Sequence, residues 1–295
     1  MRIVSLLPSA TEIVCALGLE DDLVGITHEC DYPPSVRGKP VVTASVLTGA
    51  RTSGEIDRHI RHLVHEGSSI YSLDADRLQA LQPDLILTQE LCEVCAVSYP
   101  IVEQAVRRLD GPTQLVSLEP ESLKDVYETI RTVGRLMDRA TQAETVIDGL
   151  RERIDAVRRR VASGSERRVV CLEWIDPLYN CGHWTPELVR MAGGQDQLGT
   201  PGLAAHPIES EALAEIRPEV VVVMACGFGL ERSVEEVRRA DGKLHADGAE
   251  LWVIDGNAFF SRPGPRLVDS VEILAGILHP DAVPPPPRTA ALRVA

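Results

Sequence analysis

The chain has 295 residues, of which 44% are hydrophobic and 25% are charged, and its formal net charge is −14. These values are typical of a globular protein, and the length is sufficient for two domains of ordinary size. The negative charge argues against a general nucleic-acid binder, because neutralising phosphates requires clustered Lys and Arg.

The sequence contains no run of about 20 apolar residues that would suit a membrane-spanning helix, so no membrane insertion is expected. Met1 and Arg2 lead directly into an apolar segment that predicts a strand rather than a secretory leader. The sequence therefore predicts a cytoplasmic protein, or a periplasmic or extracellular one if a leader has been removed.

The chain begins with a pattern that predicts a strand, a turn and a helix. Residues 3–7 are apolar and predict a buried strand, and Ser9 with Glu12 matches a capping box at the start of the following helix. Such a unit is typical of a parallel α/β sheet. A second short strand is predicted over residues 23–26, and it leads into the polar loop 27–34.

An internal repeat relates the two halves of the chain. Residues 72–87 align without gaps with residues 207–222. Both segments contain a short helical pattern, a proline followed by an acid (Asp84 or Glu219), and an apolar run. Proline ends the helix, and a fully apolar run suits a strand that is covered on both faces. The two halves are therefore predicted to share one architecture.

Residues 141–161 predict a long helix, because their apolar residues recur at intervals of three and four. Thr141 and Glu144 match a capping box at its start, and the segment 163–165, which is rich in Ser and Gly, marks its end. Roughly 20 residues of helix span about 30 Å, enough to join two lobes.

The second half of the chain resembles the first in its order of elements. A strand is predicted over residues 168–174, and Thr185 is predicted to cap the helix that follows. A last strand over residues 251–254 completes the predicted sheet. A last helix is predicted over residues 265–278.

We therefore predict an α/β protein with two Rossmann-like lobes, each built on a parallel sheet, joined by a single long helix. The predicted domains are an N-terminal lobe (1–120), a helix plus the bridging helix (121–163) and a C-terminal lobe (164–280). The segment 281–295 contains four consecutive prolines and is predicted to be a disordered tail.

Ligands of such sheets bind outside the carboxyl ends of the strands. The loops at these ends are predicted at residues 8–11, 27–33, 89–99, 173–185, 225–230 and 256–265. The first turn lacks Gly-x-Gly-x-x-Gly, and the chain contains neither a Walker A loop nor a Gly-x-Ser-x-Gly nucleophile elbow. Nothing in the pattern pairs carboxylates as acid and base, so the sequence favours a binding protein over an enzyme.

Several motifs resemble the cobalamin-binding proteins of the helical-backbone (class III) periplasmic-binding-protein family, the substrate-binding type of ABC transporters. They are the opening segment 2–13, Asp31-Tyr32-Pro33 after a short strand, Pro83-Asp84-Leu85-Ile86, and the segment 184–194. The similarity runs from about Arg2 to His279. It implies two α/β lobes joined by one rigid helix, with the ligand held in the cleft between them.

The resemblance also implies a function. Exported members deliver ligand to an ABC importer permease, whereas this chain resembles a leaderless branch without a lipid-anchor cysteine near its start. The implied function is binding of a corrinoid such as cobalamin, either as an intracellular carrier or salvage protein or as the substrate-binding protein of an importer.

A corrin ring is large, flat and mostly apolar, so its site needs aromatic walls and a few polar groups. Only 4% of the chain is aromatic, which makes aromatic residues in the predicted cleft loops informative. The candidate ligand-binding residues are Ser9, Thr11, His28, Tyr32, Trp174, Trp184 and Phe259. The alternatives are that the aromatic side chains fill the lobe cores and that Ser9, Thr11 and Thr185 only cap helices. If the helix starts at Ser9–Thr11 and Thr185 belong to the site, their free backbone N–H groups are expected to face the ligand.

Five of the seven cysteines fall in the predicted cleft loops, namely Cys30, Cys92, Cys95, Cys181 and Cys226. Cys92 and Cys95 form a Cys-x-x-Cys pair, which suits a metal site, a redox pair or an axial ligand to cobalt. Cys30, Cys181, His28 or His183 would complete a site for Zn²⁺ or an iron–sulfur cluster. Two alternative functions therefore remain open: a transition-metal or iron–sulfur binding protein, and an enzyme with thiol or metal chemistry in the same cleft.

Overall fold

The structure is a computed structural model that describes residues 1–47, 52–65 (without the Val64 side chain), 68–89, 98–109, 111–240, 242, 244 and 248–295. The chain forms two compact units. The first unit comprises Met1–Arg51, Glu55–Pro120 and Asp125–Ile147. The second unit comprises Thr52–Gly54, Glu121–Lys124 and Asp148–Ala295.

The first half of the chain alternates strands and helices. In chain order it contains β1 (Ile3–Ser5), α1 (Pro8–Ala16), β2 (Leu23–Ile26), β3 (Thr43–Ser45), α2 (Ser53–His65), β4 (Tyr71–Leu73), α3 (Ala75–Leu81), β5 (Leu85–Thr88), α4 (Tyr99–Val106), β6 (Gln114–Ser117), α5 (Leu123–Leu136) and α6 (Ala140–Val161). Short 3₁₀ turns lie at Glu20–Asp22 and Pro34–Gly38.

The main sheet of the first unit is parallel, with the strand order β2-β1-β5-β6. β3 and β4 form a separate antiparallel pair. Val4, Leu6, Leu78 and Ile86 are fully or almost fully buried in one cluster against this sheet. Strands that are apolar on both faces are expected in a parallel sheet covered by helices, and β5 is buried along its whole length.

The second half has a similar order, with additional strands. It contains β7 (Arg167–Ile175), β8 (Leu178–Asn180), α7 (Thr185–Met191), β9 (Gly194–Asp196), α8 (Glu211–Ile216), β10 (Val220–Val223), α9 (Leu230–Arg239), β11 (Glu250–Ile254), α10 (Gly256–Phe259), α11 (Leu267–Leu278) and β12 (Ala291–Arg293). The strand order is β12-β11-β10-β7-β8, and β9 also pairs with β7. β8 and β12 are antiparallel to their neighbours, so this sheet is mixed.

The predicted long helix is α6. Its buried side chains recur at the spacing that the sequence predicts, namely Ala143, Ile147, Leu150, Ile154, Val157 and Val161. Residues up to Ile147 belong to the first unit and residues from Asp148 to the second. None of the described helices is long and apolar enough to cross a membrane.

The predicted helix caps differ from the observed ones. Helix α1 begins after Leu7, which makes no side-chain capping bond, so Ser9 is not the N-cap. The carboxylate of Glu144 accepts two hydrogen bonds from Arg131 of α5, at 2.7 and 3.1 Å. Trp184, not Thr185, is the N-cap of α7. A capping pattern in the sequence cannot reveal a stronger partner elsewhere in the fold. Glu144 binds Arg131, because hydrogen bonds between two charged groups are strong.

The predicted disordered tail is wrong for its last residues, because Ala291–Arg293 form β12 on the edge of the second sheet. The segment before it packs closely on α11. A Cβ atom on Gly276 would lie 2.4 Å from the carbonyl oxygen of Pro284, so this helix position needs a glycine. Ala290 and Ala291 are buried as well. Consecutive prolines favour an extended segment, and here that segment packs on the helix.

The internal repeat extends to the backbone conformation. The helices α3 and α8 both end in a left-handed residue, Gln82 (φ 44°, ψ 62°) and Arg217 (φ 50°, ψ 60°). These two residues occupy equivalent positions in the gapless alignment of 72–87 with 207–222. A non-glycine residue in this region is uncommon and carries strain, so its recurrence supports a common architecture for the two halves.

The repeated acid joins its strand to the neighbouring strand. Asp84 Oδ2 accepts the backbone N–H of Arg2 at 2.7 Å, and Glu219 Oε2 accepts that of Arg168 at 3.0 Å. The backbone N–H groups of Asp84 and Glu219 in turn donate to the carbonyls of Arg2 and Arg168, at 2.8 and 2.9 Å. Each acid thus satisfies a backbone N–H group near the start of a pair of strands. Asp84 does so for β1 and β5, and Glu219 does so for β7 and β10.

We expect Asp84→Ala and Glu219→Ala each to lower the free energy of unfolding by roughly 0.5 to 1.5 kcal/mol, the usual net value of such a hydrogen bond. Urea unfolding followed by circular dichroism measures this loss. Glu215→Ala is the matched control, because Glu215 is exposed on α8 and makes no hydrogen bond with the described residues. Equal effects of all three substitutions would contradict the proposed role of the repeated acids.

Candidate functional site

The first unit carries a cluster of polar side chains where β2 ends. His28 is held by Thr43 of β3: its backbone N–H donates to Thr43 Oγ1 at 3.0 Å, and its Nδ1 lies 2.7 Å from the same oxygen. The Thr27 hydroxyl lies 2.8 Å from Thr43 Oγ1. The His28 ring also packs edge-on against Tyr71, with the centroids 5.2 Å apart.

The other nitrogen of His28 faces an acid. His28 Nε2 is buried and lies 3.3 Å from Glu29 Oε1, but it makes no hydrogen bond with the described residues. A ligand metal could bind this nitrogen only after the Glu29 carboxylate had moved aside. The geometry therefore makes His28 an organiser of the loop rather than a ready axial ligand.

Ser9, Thr11 and Cys30 are buried at the same end of the sheet. The Thr11 hydroxyl lies 3.0 Å from the Cys30 thiol, and the backbone N–H of Thr11 donates to the Leu7 carbonyl at 3.3 Å. The expectation of a free N–H at Thr11 is therefore wrong. Thr185 is similar, because its N–H donates to the Gly182 carbonyl at 3.1 Å.

Tyr32 differs from these residues in being open to solvent. Its side chain is 44% exposed, an unusual value for a large ring in a chain with few aromatic residues. It follows β2 in the loop that leads to the turn at Pro34–Gly38. Exposure of this ring is compatible with the predicted role of Tyr32 in ligand binding.

The second unit carries an aromatic cluster at the carboxyl ends of the adjacent strands β7 and β10. The rings of Trp174 and Phe228 pack with their centroids 5.0 Å apart at an angle of 56°. The guanidinium carbon of Arg232, in the first turn of α9, lies 3.9 Å from the centroid of the Phe228 ring. Trp174 Nε1 donates to the Asp176 carbonyl at 3.2 Å, which fixes the edge of the indole.

Trp184 and Phe259 lie in loops of the same unit. The Trp184 ring stacks on His183 at a centroid distance of 5.6 Å, and its Nε1 donates to the Phe260 carbonyl at 2.9 Å. Phe260 is buried, whereas Phe259 and Trp184 are half-buried. The hydrogen bond to Phe260 brings Trp184 next to the loop that contains Phe259. Two of the predicted aromatic residues therefore lie in neighbouring segments.

Glu173, next to Trp174 in β7, connects this strand to the segment that carries Trp184. Burial raises the pKa of Glu173 to about 7, although a hydrogen bond from the backbone N–H of Gly182 opposes the shift. Asp196 is a second buried acid. Burial raises its pKa to about 6, and the backbone N–H groups of Leu198 and Gly199 partly offset the effect by donating to Oδ1.

Cys181 is a core thiol. It is buried against Cys171, on the neighbouring strand, and burial raises its pKa well above the usual value. A hydrogen bond with Cys181 is the largest influence on the Cys171 thiol and lowers its pKa, but burial and the nearby Asp196 charge together outweigh it, so the pKa is raised as well. Both thiols lie in the core of the second unit, and among the described residues they belong to no group of three or more side chains that could hold a metal ion.

The predicted metal site is not assembled by the residues that the structure describes. Among them, no group of three or more His, Cys, Asp and Glu side chains is arranged to hold a metal ion. Cys30 contacts Thr11, Cys181 contacts Cys171, and His183 stacks on Trp184. Cys92 and Cys95 lie outside the described residues. Core packing thus accounts for Cys30 and Cys181, contrary to the expectation that loop cysteines serve a site.

The sequence analysis missed Thr43, Tyr71, Phe228 and Arg232. Phe228 had a usable signal, because it is one of only three phenylalanines in the chain and lies in a predicted cleft loop. Thr43, Tyr71 and Arg232 carry no such signal in the sequence. Thr43 and Tyr71 reach His28 from the separate pair of strands β3 and β4.

The fold and these loops are those of a known class. The family model for periplasmic binding proteins matches residues 3–243, and the chain therefore belongs to that family, which is one of binding proteins and not of enzymes. A solved structure of similar fold is a periplasmic heme-binding protein from Pseudomonas aeruginosa. It has a TM-score of 0.75 and 21% identity, and the match covers 100% of this chain and 98% of that one.

Individual relatives have a similarly low sequence identity. The chain is 24% identical over 293 residues to YvrC, an uncharacterized ABC transporter substrate-binding lipoprotein of Bacillus subtilis (strain 168), with 95% of this chain and 80% of the relative covered. It is 22% identical over 284 residues to a vitamin B12-binding protein of Vibrio cholerae serotype O1, covering 92% and 86%. These names give the predicted cytoplasmic location no support.

The two buried acids predict how stability depends on pH. Glu173 holds its proton up to about pH 7 in the folded chain but loses it near its ordinary pKa of 4.5 when unfolded. The folded state then binds more protons, so stability falls as the pH rises from about 4.5 to about 7. We expect Glu173→Gln to reduce this fall by on the order of 1 to 3 kcal/mol, because Gln keeps the acceptor for Gly182 without the charge.

Thermal unfolding of the two proteins at pH 4.5 and pH 8 measures the difference. Glu166→Gln is the control, since Glu166 is exposed just before β7. If Glu173→Gln shifted the midpoint equally at both pH values, the pH dependence would have another origin.

Proposed function

We propose that this chain binds a flat, metal-bearing macrocycle, in the first place a corrinoid such as cobalamin, as the substrate-binding component of an ABC importer. The observation that carries the proposal is the placement of aromatic rings at the carboxyl ends of the parallel strands. Tyr32 is exposed at that end in the first unit, and Trp174 packs on Phe228 at that end in the second. Aromatic faces are the groups that hold a large apolar ring.

The relatives support the same class of ligand. One relative is named as a vitamin B12-binding protein and one similar structure as a heme-binding protein. Both ligands are planar macrocycles that carry a metal. The proposed class of ligands therefore includes haem as well as cobalamin, but not every ligand that the protein family binds. Haem is therefore the first competing ligand in any binding experiment.

The geometry favours holding the ring by its faces and edges over coordination of its metal. His28 Nε2 is buried against Glu29, and the Cys181 thiol is buried against Cys171. Of these two candidate axial ligands, the Cys181 thiol is engaged within the protein, and His28 Nε2 faces the Glu29 carboxylate.

We further propose that the chain works with a permease, at the location usual for periplasmic binding proteins and not in the cytoplasm. The relative from Bacillus subtilis is named as an ABC transporter substrate-binding lipoprotein. An intracellular carrier or salvage role for the same ligand is the alternative, and fractionation of cells with an antibody to the chain separates the two.

Titration with hydroxocobalamin tests the main proposal. We expect quenching of tryptophan fluorescence and binding at micromolar concentration or tighter, without the shift of the corrin bands that coordination by a protein side chain produces. Tyr32→Ala should weaken binding about fivefold, because the contact of one aromatic face with a ligand is worth on the order of 1 kcal/mol.

Trp252→Phe is the matched control for this titration. Trp252 lies within β11, and its Nε1 donates to Glu250 at 3.1 Å, so the substitution should leave affinity unchanged. Absence of binding to hydroxocobalamin and to hemin alike would refute the proposed function.

The double variant Cys92→Ser with Cys95→Ser tests the alternative of thiol ligands. We expect it to bind hydroxocobalamin as the original protein does, because aromatic contacts supply the affinity. A loss of binding, or iron or zinc that co-purifies with the original protein but not with the variant, would favour the metal-binding alternative.

A further inference from the structure

Two buried cysteines face each other at the end of the hairpin formed by β7 and β8. Leu172 pairs with Asn180 in the antiparallel register, so Cys171 and Cys181 are the next residues along the two segments. The backbone N–H of Cys181 donates to the Cys171 carbonyl at 3.1 Å. The two thiols also share a side-chain hydrogen bond. The pair is therefore in contact through both its main chain and its side chains.

The position of this pair in the sheet suits a disulfide bond. Opposite residues of antiparallel strands have Cα atoms about 4.5 to 5.5 Å apart, and disulfides join residues whose Cα atoms are about 4.4 to 6.8 Å apart. The side chains of opposite residues also project from the same face of the sheet. A disulfide between Cys171 and Cys181 therefore requires no shift of one strand along the other.

The segment that carries Cys181 is fixed by the residue before it. The Asn180 side chain is buried, and its Nδ2 donates to the Leu198 carbonyl at 2.9 Å. Its Oδ1 accepts the backbone N–H of His206 at 2.7 Å. These hydrogen bonds hold Cys181 beside Cys171, so the two thiols stay close together in the folded chain.

Burial decides when such a bond can form. The exposed fractions of Cys171 and Cys181 are 0% and 1%, so a soluble oxidant does not reach either thiol in the folded unit. Burial also raises the pKa of the Cys181 thiol, and the thiolate is the form that attacks a disulfide. Oxidation of the pair therefore belongs to the stage of folding at which the hairpin has formed and the core has not yet closed.

We propose that Cys171 and Cys181 form a disulfide bond when the chain folds in an oxidising environment. The oxidant is a small disulfide such as oxidised glutathione. One cysteine thiolate displaces a glutathione from it and forms a mixed disulfide, and the second cysteine thiolate then displaces the other glutathione. The two thiols give up two protons and two electrons in forming the S–S bond, and oxidised glutathione is reduced to two molecules of glutathione.

The disulfide connects two segments that carry aromatic residues of the candidate site. It closes a loop over residues 171–181, which contains Trp174, and Trp184 follows shortly after Cys181. Such a bond stabilises the hairpin by restricting the unfolded chain. The inference goes beyond the proposed function and holds for any ligand of the chain. The bacterial periplasm and the cell surface are environments that favour such bonds.

Peptide mapping of the refolded chain tests the inference. The chain is unfolded with reductant, refolded with reduced and oxidised glutathione, and treated with iodoacetamide in denaturant to block free thiols. A protease that cleaves after glutamate separates the two cysteines at Glu173. We expect the peptide that ends at Glu173 to stay joined to the peptide that contains Cys181 until a reductant is added. Recovery of the two peptides alkylated and unlinked, or linked to other cysteines, would overturn the inference.

Thermal unfolding gives a second measurement, with the Cys92→Ser and Cys95→Ser variant as the parent because it lacks the Cys-x-x-Cys pair. Refolding this variant with oxidised glutathione instead of dithiothreitol should raise its unfolding midpoint by roughly 5 °C. Adding Cys181→Ala should abolish this rise. Adding Cys15→Ala, in helix α1 of the first unit, is the matched control and should leave the rise unchanged. An equal rise with and without Cys181 would show that a different bond is responsible and that the inference is wrong.

Discussion

The burial of the parallel strands on both faces is the constraint on which the rest of the structure depends. Strands such as β5 and β10 are buried along their whole length, and Thr88 at the end of β5 is their one polar residue, so they offer no side chain to a ligand. Polar and aromatic groups can face solvent only where the strands end. Tyr32, Trp174 and Arg232 all lie in or next to the loops at those ends, and binding is the chemistry that such loops support.

The sequence predicts the parts of the fold that depend on periodic burial. The spacing of α6, the alternation of strands and helices and the repeat around Pro83 and Pro218 are visible in the sequence because each reflects local geometry. Contacts between distant residues are not visible in this way. The Glu144 carboxylate binds Arg131 of the preceding helix, and the chain after the four prolines returns to the sheet as β12. Both facts depend on which surfaces meet in three dimensions.

The same distinction between local patterns and contacts of distant residues applies to the candidate site. Positions at the strand ends such as Tyr32 and Trp174 can be chosen from the sequence, because only 4% of this chain is aromatic, although Trp174 lies within β7 and not in the predicted loop. The partners that decide what a residue can do are set by tertiary structure. Glu29 closes the free nitrogen of His28, and Cys171 pairs with Cys181 in the core. Counting cysteines in predicted loops cannot distinguish the buried Cys30 and Cys181 from the exposed Cys226.

Charge links the composition of the chain to its ligand. A net charge of −14 repels an anion at long range, but screening limits this field to about 8 Å at physiological ionic strength. The nearest side chains therefore decide what binds. Beside the aromatic cluster, the guanidinium carbon of Arg232 lies 3.9 Å from the centroid of the Phe228 ring, and the buried acid Glu173 precedes Trp174 in β7. Charges of both signs therefore lie next to the proposed ligand, and the net charge of the chain does not decide which macrocycle it accepts.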